Sequence, residues 1–91
     1  MKVEESLYYN KLFDSYGKLL SKGQQEIMSA YLIDDLTVSE IAQNMLISRQ
    51  AVLDSIRKAE IKLEKLESEL GFVKKIEKLE EEIERLKNKI N

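Results

Sequence analysis

The sequence predicts an all-α fold: a helix-turn-helix head followed by a long helix and a C-terminal amphipathic, coiled-coil-like helix. Three observations carry that prediction. Proline is absent and glycine occurs only at Gly17, Gly23 and Gly71, too few turn-formers for the tight connections of an all-β chain. Apolar residues recur at spacings of three and four along most of the chain, the period of a helical face. Thr37-Val38-Ser39-Glu40 then matches the capping box that opens a helix. With 91 residues, 43% of them hydrophobic and 35% charged, the chain has room for one compact domain and an appendage.

Taken in order, Leu7, Tyr8, Leu12, Phe13, Tyr16, Leu19 and Leu20 share one face and predict a first helix over about 3–20, with Gly17 as a weak point near its end. Ser21 is a good N-cap for a second helix, which turns Ile27, Met28, Tyr31 and Leu32 toward the core and stops near Asp34-Asp35. The third helix begins behind Thr37, with Ile41, Ala42 and Met45 as its apolar face. A break falls at Met45-Leu46-Ile47, and Ser48 caps a helix that runs from Arg49 to Leu70, about 33 Å at 1.5 Å per residue. Gly71 suits its end.

Residues 72–91 differ in kind. Ile76, Leu79, Ile83, Leu86 and Ile90 alternate spacings of three and four in a sea of Glu and Lys, a heptad pattern suited to self-association as a homodimer. Upstream, Ile56, Ala59, Leu63, Leu66 and Leu70 form a second stripe. Leu70 to Ile76 spans six residues where an unbroken repeat needs seven, so two segments are expected, divided as 1–71 and 72–91. Ile at one seam position and Leu at the other favours two parallel strands, with antiparallel pairing, a trimer and a helix folded back on the head as alternatives.

Composition removes whole classes of chemistry. Without cysteine or histidine there are no disulfides, no thiol nucleophiles, no imidazole bases and no Cys/His zinc sites. Asp34-Asp35 and the glutamates 80, 81, 82 and 84 read as a polar helix end and a solvated face, not as metal ligands or catalytic carboxylates. No enzyme activity, cofactor or metal is expected. The first residues lack a signal peptide's apolar stretch and no apolar run approaches ~20 residues, so a cytoplasmic protein without membrane insertion is expected. Net charge is −2, and no segment forms a basic stripe.

The helix-turn-helix is expected over the third and fourth helices. A small residue is needed where they cross, here Ala42, and apolar side chains must fill the wedge, here Ile41, Met45, Ile47, Val52 and Ile56. Leu46 occupies the turn position where glycine or asparagine commonly supplies positive φ, a conformation that costs leucine roughly 1–2 kcal/mol. The aromatic residues Tyr8, Tyr9, Phe13, Tyr16 and Tyr31 read as core, not as base-stacking platforms.

Tyr9-Asn10-Lys11-Leu12-Phe13-Asp14, Leu19-Leu20-Ser21-Lys22, Ser39-Glu40-Ile41-Ala42, Ser48-Arg49-Gln50-Ala51-Val52 and Asp54-Ser55-Ile56-Arg57-Lys58 together resemble the YlxM family, small bacterial proteins similar to the fourth region of sigma factors. The resemblance covers about residues 8–60. Its members are typically encoded beside the signal recognition particle GTPase, which implies a role in or regulation of that targeting pathway and makes its components possible partners. Leu53 departs from the aromatic residue usual there, and the tail is shorter, with a cleaner heptad.

As a DNA reader the unit lays its second helix in the major groove. Arg49, Gln50, Leu53, Asp54 and Arg57 then face outward from behind the Ser48 cap. Arg suits guanine and Gln adenine, and Lys58 is placed for a phosphate. Asp54 opposes that use by repelling phosphate. The function expected is a non-catalytic regulator of transcription or accessory factor that binds DNA or RNA through Ser48, Arg49, Gln50, Leu53, Arg57 and Lys58. The competing class is a protein–protein adaptor built on the same scaffold and its helical tail.

Overall fold

The computed structural model describes residues 3–90. It is built of helices α1 (Val3–Tyr16), α2 (Lys22–Met28), α3 (Val38–Met45), α4 (Arg49–Leu70) and α5 (Phe72–Ile90), with no strand among the described residues. α1 ends four residues sooner than its apolar spacing suggests. The chain tightens into a 3-10 turn at Gly17–Leu19, where a Cβ on the buried Gly17 would come within 2.9 Å of the Phe13 ring. Leu20 turns back into the core, but Leu7, Tyr8 and Leu19 are exposed, so the predicted seven-residue face of α1 is buried only in part.

Each of the next three helix starts has its cap. Ser21 and Gln24, and Thr37 and Glu40, form reciprocal capping boxes, satisfying amides that a helix start leaves free. Ser48 Oγ accepts from the Ala51 amide at 3.0 Å. α2 does not stop cleanly: Ser29–Ile33 widen into a π-helical turn in which the Asp34 amide reaches back to the Ser29 carbonyl. Asp35 closes it in the left-handed region at φ 56°, which Asp tolerates better than most residues.

α4 is the axis against which α1, α2 and α3 pack. Leu12 and Tyr16 of α1, Met28 of α2, Ile41 of α3 and Val52, Ala59 and Leu63 of α4 are sealed from water. At roughly 1.5–3 kcal/mol for each large apolar side chain, this burial is the principal stabiliser. Ala42 is buried between α3 and α4 as a close crossing requires, and Val52 and Ile56 fill the wedge. Ile47 was expected there too; it is 39% exposed instead.

The core continues beyond Gly71. Val73 is buried with the head residues, and Phe72 stacks on Tyr16 with ring centroids 6.2 Å apart. The core thus crosses the boundary at Gly71 where two segments are expected to divide. The next residues of α5 flank a groove against α1, with Glu77 paired to Lys11, and the remainder of α5 extends away from the head. The molecule measures 54 × 27 × 20 Å, and its radius of gyration of 15.8 Å exceeds the ~12 Å of a compact chain this long.

Candidate nucleic-acid interface

The end of α3 shapes the site. Ile47 N–H donates to the Ala42 carbonyl at 3.1 Å and Leu46 N–H leans on the Gln43 carbonyl at 3.4 Å, the paired bonds of a Schellman closure. That motif needs a residue with positive φ, and Leu46 supplies it at φ 57°, ψ 43°. Leu46 gains no burial in return, since it is 92% exposed. Ser48 then starts α4 at an angle that sends Val52, Ile56 and Ala59 inward.

All six residues singled out from the sequence lie on the solvent side of this start: Ser48, Arg49, Gln50, Leu53, Arg57 and Lys58 are exposed. Asp54 sits among them and engages two. Its Oδ1 accepts from Gln50 Nε2 at 3.0 Å and lies 3.7 Å from the Arg57 guanidinium. Arg49 and Lys58 make no ion pair among the described residues. The outward face thus holds two free cations, a carboxylate that holds back Gln50 and Arg57, and the exposed apolar side chains Leu46, Ile47 and Leu53.

Similarity to other proteins agrees with this architecture. A family profile described as "UPF0122: Putative helix-turn-helix protein, YlxM / p13 like" matches residues 3–91. The UPF0122 protein of Geobacillus kaustophilus is 42% identical over 89 residues, 98% of this chain and 81% of that one. Those of Bacillus thuringiensis and Bacillus anthracis are 38% identical over the same shares. The chain belongs to the UPF0122 family. As a UPF0122 protein it is an all-α, helix-turn-helix protein, and among its described residues no helix is long and apolar enough to cross a membrane.

All four tyrosines hold their protons more tightly than free tyrosine; burial, with the charges of Glu60 and Glu64 beside it, pushes Tyr9 up to about 12. A groove of about 500 Å³ lies between α1 and α5, lined by Lys11, Asp14, Ser15, Val73, Ile76, Glu77, Glu80 and Glu81. It is open and its lysine is paired with Glu77. No cluster of potential metal ligands occurs among the described residues.

One constellation escaped sequence reasoning. α5 starts behind Gly71, which has no side chain to cap it, and its first three amides are satisfied from elsewhere. Phe72 N–H donates to the Tyr16 hydroxyl at 3.0 Å, and the amides of Val73 and Lys74 donate to the two oxygens of Glu67 at 3.0 and 3.1 Å. Tyr16 in turn donates to Glu67 at 2.6 Å. Burial pushes the Glu67 carboxyl upward, but these hydrogen bonds and the charge of Lys74 outweigh it and hold it below the usual range. Lys11 of α1 adds an ion pair to Glu77. Nothing local signals a cap delivered from 56 residues away in sequence.

Proposed function

We propose that this protein is a non-catalytic cytoplasmic regulator or accessory factor that binds nucleic acid through the outer face of α3–α4. The observation that carries the reading is the sidedness of the start of α4: Val52, Ile56 and Ala59 are sealed inside, while Ser48, Arg49, Gln50, Leu53, Arg57 and Lys58 all lie outward. Arg49 and Gln50 take base edges, Leu53 an apolar base surface, and Arg57 and Lys58 phosphates. With a net charge of −2, each protomer neutralises few phosphates, so affinity is weak and the slope of log affinity against log salt is shallow, roughly −2 to −4. Self-association through Ile76, Leu79, Ile83, Leu86 and Ile90 recovers affinity by presenting a second half-site. The YlxM resemblance adds the signal recognition particle RNA as a ligand to test.

The test titrates labelled DNA fragments and that RNA at low salt against the wild type and an Arg49→Ala, Gln50→Ala double variant. Loss of binding in the double variant supports the proposal, and Lys58→Ala should weaken all sequences alike. Equal binding by both proteins, or by neither, overturns it. A second reading, the protein adaptor, is favoured by the hold of Asp54 on Gln50 and Arg57 and by the exposed Leu46, Ile47 and Leu53.

A further inference from the structure

The stripe along α5 lies open: Ile76, Leu79, Ile83, Leu86 and Ile90 are 47%, 62%, 51%, 56% and 85% exposed. Only Ile76 borders the head, at the groove against α1; the head does not cover the rest, because α5 meets it with another side. Val73 is buried in the core and Glu77 is paired with Lys11, and the Glu67–Tyr16 hydrogen bonds fix the first turn in that pose. What covers the stripe must come from outside.

The flanks of the stripe identify it. With Ile76, Ile83 and Ile90 at heptad position a and Leu79 and Leu86 at d, Lys75 and Glu82 fall at g and Glu80 and Lys87 at e. In a parallel pair each g side chain faces the e side chain of the partner's next heptad. Lys75 then meets the partner's Glu80 and Glu82 meets the partner's Lys87, so every such contact joins opposite charges. An antiparallel pair that layers Ile76 on the partner's Leu86 sets Lys75 against the partner's Lys89 and Glu82 against the partner's Glu82. The other antiparallel register avoids those repulsions by matching Glu82 with the partner's Lys89 and Glu80 with the partner's Lys87, but it leaves Ile76 without a partner. Ile at a with Leu at d also favours two parallel strands. Glu82 has a neighbour in its own chain, Arg85 at 3.4 Å, but that pair is exposed and contributes little to hold it back.

We infer that α5 pairs with α5 of a second copy as a parallel, in-register dimer, held by the Ile/Leu seam and keyed by Lys75–Glu80 and Glu82–Lys87 contacts between chains. This rests on the reading of α5 as a self-association helix and adds its orientation and its contacts. Both heads then sit at the same end of the coil.

The test is sedimentation of the full chain without nucleic acid, so it stands or falls apart from the binding reading. Wild type is a dimer at ~100 µM and Ile83→Asp is a monomer with unchanged helicity of the head. Glu82→Lys and Lys87→Glu each weaken the dimer by roughly tenfold or more, because each brings two like-charge contacts, and the double swap restores it. In the antiparallel register that matches Glu82 with the partner's Lys89, the double swap is worse than either single change; in the one that sets Glu82 against the partner's Glu82, Glu82→Lys exchanges one like-charge contact for another. The chain has no cysteine, so Ile90→Cys gives an independent reading: the parallel dimer oxidises to a linked pair through its own position 90. A monomeric wild type, or a dimer indifferent to Ile83→Asp, overturns the surface. A dimer that the double swap fails to restore, or that Ile90→Cys fails to cross-link, overturns the orientation while leaving self-association standing.

Discussion

Leu46 carries a left-handed backbone at φ 57° with its side chain in water, so the conformational cost has no packing to offset it. Leu46→Gly relieves roughly 1–2 kcal/mol of strain and gives back about 0.4–1 kcal/mol through the freer unfolded chain. The net expectation is a gain of about 0.5–1 kcal/mol, read as a higher denaturant midpoint; a lower midpoint would show that the leucine makes a contact that exposure does not reveal. Asp54 exerts the opposite kind of control, on binding and not on folding. It is one carboxylate amid the cations that the proposed interface needs, and it occupies both Gln50 and Arg57. Asp54→Asn removes a charge that repels phosphate and loosens its grip on Arg57. Affinity for nucleic acid at low salt should rise by about threefold to tenfold if that face meets phosphates. No change, or a fall, in a titration beside wild type would favour the adaptor.

Among the elements, those governed by local rules were legible in the sequence. The starts of α2, α3 and α4 follow from Ser21, Thr37 with Glu40, and Ser48, because a cap is a contact across three residues. The extent of α4 and the outward placement of the six interface candidates followed from the 3.6-residue period. Three things did not. The π-helical turn at Ser29–Ile33 has no glycine or proline to announce it, the burial of α1 stops short because α4 covers only part of its stripe, and the cap of α5 is assembled from Tyr16 and Glu67. Those last two depend on packing between segments far apart in sequence. The α5 cap has a measurable acid signature. Glu67 and the capping carboxylate Glu40 both have folded pKa values below the usual one, Glu40 through its bonds from Thr37. Their contribution is complete at neutral pH and is lost as pH falls below about 4.5 through the folded values. Tyr16→Phe removes one donor to Glu67 and one acceptor from Phe72, for a loss of about 1–2 kcal/mol at pH 7. Its stability should also fall less steeply with acid than the wild type's, as thermal melts across pH 3–7 would register; parallel curves would dismiss Glu67 as a pH-sensitive element.

For the molecule as a whole, the hydrophobic seal around Tyr16 and Leu63 takes in the first turn of α5. A chain ending at Gly71 loses Val73, the Phe72 stack and the Val73 and Lys74 amides that donate to Glu67, whereas one ending at Lys78 keeps them. Both should be monomeric, since both lack most of the seam, but the shorter should be less stable by about 2–3 kcal/mol, or roughly 10–20 °C in melting temperature. Equal melting temperatures would mean that the first turn of α5 adds nothing to the head. The same junction sets the bearing of everything beyond it. α5 is 19 residues long, about 28 Å of stiff rod pivoting on one glycine and braced at its base by a tyrosine and a glutamate. A swing of 10° at that brace carries the far end through about 5 Å. The rod thus multiplies any difference of angle at its base, so the hydrogen bonds around Tyr16 and Glu67 set where Ile90 lies, about 28 Å away.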